Sequence, residues 1–371
     1  MKLSNTHKAF LELVRAGLWE NECRLSQFGG VDFYDIYRIA EEQSVVGLVA
    51  AGVEHLFDVK IPQEIALTFA GTTLQLEQRN KDMNLFISKL IEKMREAGIY
   101  ALLVKGQGIA QCYVKPLWRA SGDIDLFLSE KDYNLSVKFL SPNAMILDKV
   151  ETYKNHLPLL IDNWEVELHG TLRSGLFGSL DRTLDKVQDD VFLGGNVRSW
   201  MNQHTQVFIP RADEDVVFVF AHILQHFYKG GIGLRQVCDW CRLLWTYRDT
   251  VNRELLEDRL HKMGVMAEWK AFASLAVDIL GMPEKAMPLY SGNAKQKKKG
   301  QRICSFILKV GNFGQNENKN ERVKPLLMRK CITVMDMFRN SLRHIGTFPY
   351  NSIKTCFYQI LLGIKSQFNN P

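Results

Sequence analysis

Gly122-Asp123-Ile124-Asp125-Leu126-Phe127-Leu128 is the stretch on which the fold turns. Acidic and apolar side chains alternate in it, and a period of two marks a β-strand with two unlike faces. On such a strand Asp123 and Asp125 project side by side, while Ile124 and Leu126 enter the core. Adjacent carboxylates repel unless a cation neutralises them. Magnesium is the usual neutraliser, since it prefers oxygen ligands and takes one or two carboxylates together with substrate phosphates. Trp164-Glu165-Val166-Glu167-Leu168-His169 repeats the pattern, with Glu165, Glu167 and His169 on one face. Paired beside the first strand, it gathers three or four carboxylates at one sheet edge, the arrangement that clamps the oxygens of an in-line phosphoryl displacement.

Outward from this stretch the texture is mixed. Ile99–Val104 is a short apolar run and reads as a buried strand. It ends in Lys105-Gly106-Gln107-Gly108, with a short helix expected over Ile109–Val114; amides at a helix start after glycine bind phosphate readily. Lys131–Leu140 reads as a helix with Ser129 as its N-cap. Met145–Val150, His156–Ile161 and Trp164–His169 read as further strands, which gives the order β-α-β-α-β-β-β. Residues 1–80 show helical spacing (Phe10, Leu11, Leu13, Val14, Leu18; then Ile36, Ile39, Ala40), and a long helix is expected over about Glu64–Ala97. From Asp213 onward the chain reads as helices over Asp213–Lys229, Gly233–Arg248, Arg253–Met263, Met266–Leu280, Arg302–Val310, Pro325–Ile345 and Asn351–Phe368, with polar loops at Ser291–Gly300 and Gly311–Lys324. The expected fold is a mostly helical α+β: a small mixed sheet at 95–205 between helical regions at 1–94 and 206–371.

The composition of the 371 residues, 46% hydrophobic and 24% charged, is that of an ordinary globular protein. No apolar run reaches the roughly 18 residues of a membrane span, and Met1–Glu22 has no signal-peptide pattern. Seven scattered cysteines fit a reducing cytoplasm. Cys238-x-x-Cys241 lies inside a helical pattern with no second cysteine pair, so it reads as packing rather than as a zinc half-site. The net charge of +6 is uneven: residues 291–371 carry +12 and residues 1–290 carry −6. A basic region of this kind can touch a polyanion or an anionic membrane surface, but a solvated basic face is the preferred reading. The stripe Ile353, Phe357, Ile360, Leu361 and Ile364 reads as core or interface packing.

Strand, glycine turn, helix, Asp-x-Asp strand and acidic strand together resemble the DNA polymerase β-type nucleotidyltransferase superfamily. More narrowly, Leu103-Val104-Lys105-Gly106, Tyr113, Pro116, Arg119, Asp123-Ile124-Asp125-Leu126 and Val166-Glu167-Leu168-His169 resemble a largely uncharacterised group of bacterial nucleotidyltransferase family proteins. The likeness extends to Asp35-Ile36 and to His222, His226, Leu234-Arg235 and Asp239. It implies a Mg2+- or Mn2+-dependent enzyme that moves a nucleoside monophosphate from a nucleoside triphosphate to a hydroxyl or phosphate of an unidentified acceptor. Asp123, Asp125 and Glu167 would hold the metal. Glu167 would serve as general base, with Glu165 as the alternative. Lys105, Gly106, Gln107 and Arg119 would bind the nucleotide, and His169, His222, Arg235 and Asp239 would border the substrate cleft. The superfamily's usual Gly-Ser is Gly106-Gln107 here. A non-catalytic nucleotide-binding or scaffold protein of the same fold is therefore the alternative. Nucleic acid is not a favoured acceptor, because basic and aromatic residues are not interleaved as in RNA-binding motifs.

Overall fold

Four helices precede the sheet: α1 (Asn5–Trp19), α2 (Phe33–Glu42), α3 (Val46–Val53) and α4 (Gln63–Glu96). They belong to a computed structural model that describes residues 3–147, 155–195, 197–312, 338–340 and 342–368. Ser4 and Asp32 start the first two helices by accepting backbone N–H groups of the first turn. α1 and α3 touch through glycines. A Cβ on Gly17 would stand 2.0 Å from the Leu48 carbonyl oxygen, and one on Gly52 would stand 1.9 Å from that of Leu13. The long helix anticipated over Glu64–Ala97 is α4, which starts directly after Pro62.

Seven strands form one mixed sheet: β1 (Ala101–Val104), β2 (Ile124–Leu128), β3 (Met145–Ile146), β4 (His156–Ile161), β5 (Trp164–His169), β6 (Arg198–Asn202) and β7 (Thr205–Ile209). Their spatial order is β3-β4-β5-β2-β1-β7-β6. β2 lies between β1, to which it is antiparallel, and β5, to which it is parallel. One sheet face (Ile124, Leu126, Leu128, Val166, Leu168) shares a core with Met83, Ile87, Leu90, Ile91 and Met94 of α4. The helices α5 (Gly106–Ala110) and α6 (Glu130–Leu140) follow β1 and β2. Ser129 caps α6 as expected, its hydroxyl accepting from Asp132 N at 3.1 Å.

The other sheet face carries Leu102, Val104 and Phe127 into a second core built with α7 (Gly178–Leu193) and α8 (Ala212–Lys229). Phe127 meets Phe192 of α7 with ring centroids 4.7 Å apart. α9 (Leu234–Thr246), α10 (Arg253–Met263), α11 (Met266–Ser274) and α12 (Ala294–Val310) close this side, followed by the helix Pro349–Phe368. Phe220 stacks on Trp240 and Trp269 meets both edge-on, and Cys238 and Cys241 are buried on this side. The fold is the expected mostly helical α+β around one mixed sheet.

Several elements differ from expectation. The sheet has seven strands rather than five, because Arg198–Asn202 and Thr205–Ile209 form a hairpin that places β7 parallel to β1. Helix α7 was not anticipated. The first turn after β1 is helical from Gly106, earlier than the expected Ile109–Val114. The polar stretch Ser291–Gly300 becomes helix from Ala294, since the Asn293 side chain caps it by accepting from Gln296 N at 2.9 Å. The stripe Ile353, Phe357 and Leu361 is exposed, and the helix instead buries Asn351, Ser352, Thr355 and Cys356. Most of the expected helix Pro325–Ile345, the loop from residue 313 to Lys324 and the end of the strand Met145–Val150 lie outside the described residues. Among the described residues no helix is long and apolar enough to cross a membrane.

Candidate active site

The parallel register of β2 and β5 sets Asp125 opposite Glu167 and Phe127 opposite His169. Directly opposed residues share a face, so Asp123, Asp125 and Glu167 meet. One oxygen of each lies within 4.8 Å of the others. Asp125 is only 2% exposed, whereas Asp123 and Glu167 are half-buried. Glu165 precedes them on β5 and is exposed.

Lys105 reaches this cluster through an unusual turn. Its φ is +55° and that of Gly106 is +39°. With ψ −144° Lys105 sits in a region that side-chain-bearing residues rarely occupy, at a cost on the order of 1–3 kcal/mol, and such strain is characteristic of sites where a side chain must be aimed. The Lys105 ammonium lies 2.6 Å from Asp125 Oδ1. His169 Nε2 contacts the same oxygen at 2.7 Å and Glu167 Oε2 at 3.2 Å. His156 Nε2 lies 3.1 Å from Glu167 Oε2.

The charges tune one another. Asp125, and then burial, push the Asp123 carboxyl above the ordinary carboxylate range. Burial would also raise Glu167, but the close contacts of His156 and His169, with the nearby charges, hold it well below the usual value. Burial disfavours charge on His169, yet Asp125 and Glu167 outweigh it and raise its pKa. The same contest, with Asp125 first among the opposing charges, leaves the Lys105 ammonium raised. Burial, followed by Glu167, Asp123 and Asp125, raises Glu165.

A pocket opens over the Asp123 and Asp125 side of the cluster. Lys105, Asp123 and Asp125 line its sheet side, and His222, Arg235 and Asp239 on α8 and α9 line the opposite wall. Arg119 also lines it but is committed to Asp239: its Nε and Nη2 donate to Asp239 Oδ1 and Oδ2 at 2.9 and 2.7 Å. The Tyr113 hydroxyl donates to Asp239 Oδ1 at 2.8 Å. Arg235 donates from Nη1 to the Ala120 carbonyl at 2.7 Å, and its buried Nε has no hydrogen-bond partner among the described residues. Burial, followed by Lys105, depresses both His222 and His226, the latter to about 4. Gly106 lines the cavity. The Gln107 side chain is buried and donates to Asn80 Oδ1 at 2.7 Å and Ser121 Oγ at 3.1 Å. A second pocket lies between the ends of α1 and α3 and the 113–120 segment, and it shares Arg119 and Arg235 with the first.

His156 is the site residue that the sequence reading did not single out. The signal for it was present. Asp162 and Asn163 are both left-handed, with φ +48° and +68°, as a two-residue hairpin turn requires. Such a turn pairs Ile161 with Trp164 and therefore His156 with His169.

The donor set of Asp123, Asp125 and Glu167 consists of hard carboxylate oxygens close enough to share an ion, which fits a divalent cation such as Mg2+ or Mn2+. A family model described as an uncharacterised nucleotidyltransferase matches residues 29–281, well over half of the chain. Neither the curated proteins nor the solved structures yield a match.

Proposed function

The chain belongs to this uncharacterised nucleotidyltransferase family, and on that premise we propose that it transfers a nucleoside monophosphate from a nucleoside triphosphate to an acceptor hydroxyl or phosphate, in the manner of the DNA polymerase β-type enzymes. The observation that carries the reading is the convergence of Asp123, Asp125 and Glu167 from two adjacent parallel strands, beneath a cavity and beside Lys105. A divalent cation, if held by these carboxylates, would supply charge neutralisation for phosphoryl transfer.

The chain's own residues do the rest. Lys105 and Gly106 border the cavity where the triphosphate lies, and Arg235, whose guanidinium has no carboxylate partner among the described residues, is the cation on the opposite wall. Arg119 acts by fixing Asp239 and Tyr113 in that wall. The acceptor oxygen attacks the α-phosphorus as the bond to pyrophosphate breaks. We assign the acceptor's proton to Glu167, which meets Asp123 and Asp125 in the cluster, with Glu165, two residues earlier on the same strand face, as the alternative. We place the acceptor's entry at the second pocket, which shares Arg119 and Arg235 with the first.

The test is an assay of the purified full chain with Mg2+ and triphosphates labelled at the α-phosphate, against a panel of small hydroxyl and phosphate acceptors. Label transfer that is lost in Asp125→Asn supports the reading. Nucleotide binding without transfer to any acceptor would favour the scaffold alternative, which the absence of serine after Gly106 keeps open.

A further inference from the structure

We propose that His156, His169 and Glu167 form a second metal seat, one that takes a borderline divalent ion such as Mn2+, Co2+ or Zn2+. The inference rests on the preceding reading only in sharing Glu167 and Asp125 with the three-carboxylate seat. One donor atom from each of His156, Glu167 and His169 lies within 4.8 Å of the other two. The hairpin builds this arrangement. His156 and His169 are register partners across β4 and β5, so both rings rise from one face, and they stack with centroids 4.8 Å apart and planes 29° from parallel.

The two Nε2 atoms converge on a single oxygen, Glu167 Oε2, at 3.1 and 3.2 Å. His169 Nε2 also lies 2.7 Å from Asp125 Oδ1. Two imidazole nitrogens with one or two carboxylate oxygens suit manganese, cobalt or zinc, whereas magnesium favours all-oxygen shells. A separate observation points the same way. His156 Nε2 is buried and makes no hydrogen bond of good geometry among the described residues, although it is aimed at Glu167. A ring nitrogen shut off from water, with one poorly aligned contact to a carboxylate oxygen, is costly, and a bound ion would satisfy it. The two seats share Glu167 but differ in chemistry: one is all oxygen, and the other carries nitrogen.

The metal-free full chain, loaded with Mn2+, tests this by pulsed electron paramagnetic resonance and by metal analysis. The expected result is nitrogen coupling from two imidazoles, with two manganese ions per chain, one of which magnesium displaces readily. In His156→Gln the coupling falls to one imidazole and affinity for the second manganese drops about tenfold or more, while the thermal shift induced by Mg2+ is retained. Circular dichroism reports whether that variant folds, and the wild-type spectrum decides the matter if it does not. A manganese spectrum without nitrogen coupling overturns the proposal and leaves the three-carboxylate seat standing. A chain that binds neither Mg2+ nor Mn2+ overturns both.

Discussion

The Lys105 ammonium lies 2.6 Å from Asp125 Oδ1, with both side chains nearly closed off from water. Together with His169 it supplies the positive charge that lets three carboxylates share one face of two interior strands. Removing one partner of a buried pair is strongly destabilising, typically by about 3–5 kcal/mol, and the remaining contact to His169 moves the expectation to the lower end of that range. Lys105→Met therefore lowers the melting temperature in metal-free buffer, and Mg2+ recovers more stability in this variant than in the wild type. Paired melts with and without metal check it.

Asp125→Asn keeps the shape of the side chain and removes the neighbouring negative charge that most raises the Asp123 pKa. The chain still folds but is less stable in metal-free buffer, since Lys105 and His169 lose their buried carboxylate partner, and the gain in melting temperature with Mg2+ or Mn2+ disappears, because a ligand stabilises only through the site it occupies. An unchanged metal response in this variant would show that the ion binds elsewhere.

The His169 pKa is raised above its ordinary 6.5. A group whose folded-state pKa is raised contributes stability that is fully present below the unfolded value and is lost as pH rises through the folded one. In metal-free buffer, the stability difference between wild type and His169→Gln is thus largest below pH 6.5 and shrinks as pH rises past the raised value. Denaturant titrations across pH 5–9 read this directly. A difference that grows with pH would contradict the charge arrangement.

Arg119 and Asp239 form a two-pronged, buried ion pair, whereas Arg235 has one backbone contact. Asp239→Ala is expected to cost about 3–5 kcal/mol by leaving the Arg119 charge unpaired, and Arg119→Lys also destabilises, since lysine does not reproduce the fork. Arg235→Ala changes stability little and weakens triphosphate binding. Melting curves together with calorimetric nucleotide titration separate the two classes. Weak nucleotide binding in Arg119→Lys at unchanged stability would reverse the assignment.

Local signals made much of this legible in advance. Asp123 and Asp125 declare a strand by alternation, Ser129 declares the start of α6, and Pro62 with Gly98 brackets α4. The parallel register that brings Glu167 to Asp125 depends on the chain between them, and only the two matching patterns suggested it. The β6–β7 hairpin escaped because Gln203-His204 is not a turn pair that sequence reveals, although Gln203 is left-handed with φ +55°. Arg119 looked like a phosphate ligand until folding brought Asp239 to it from 120 residues away. Gln107 resolves similarly: its partner Asn80 sits on α4, remote in sequence. His156 could be deduced from the Asp162-Asn163 turn, but only by following the pairing back along the whole hairpin.

The most direct measurement is anomalous diffraction from crystals of the full chain grown with Mn2+ and a non-hydrolysable nucleoside triphosphate. The account predicts a manganese peak bound by Asp123, Asp125 and Glu167, with the triphosphate between Lys105 and Arg235. A nucleotide seated away from these carboxylates, or manganese absent from them, would contradict it.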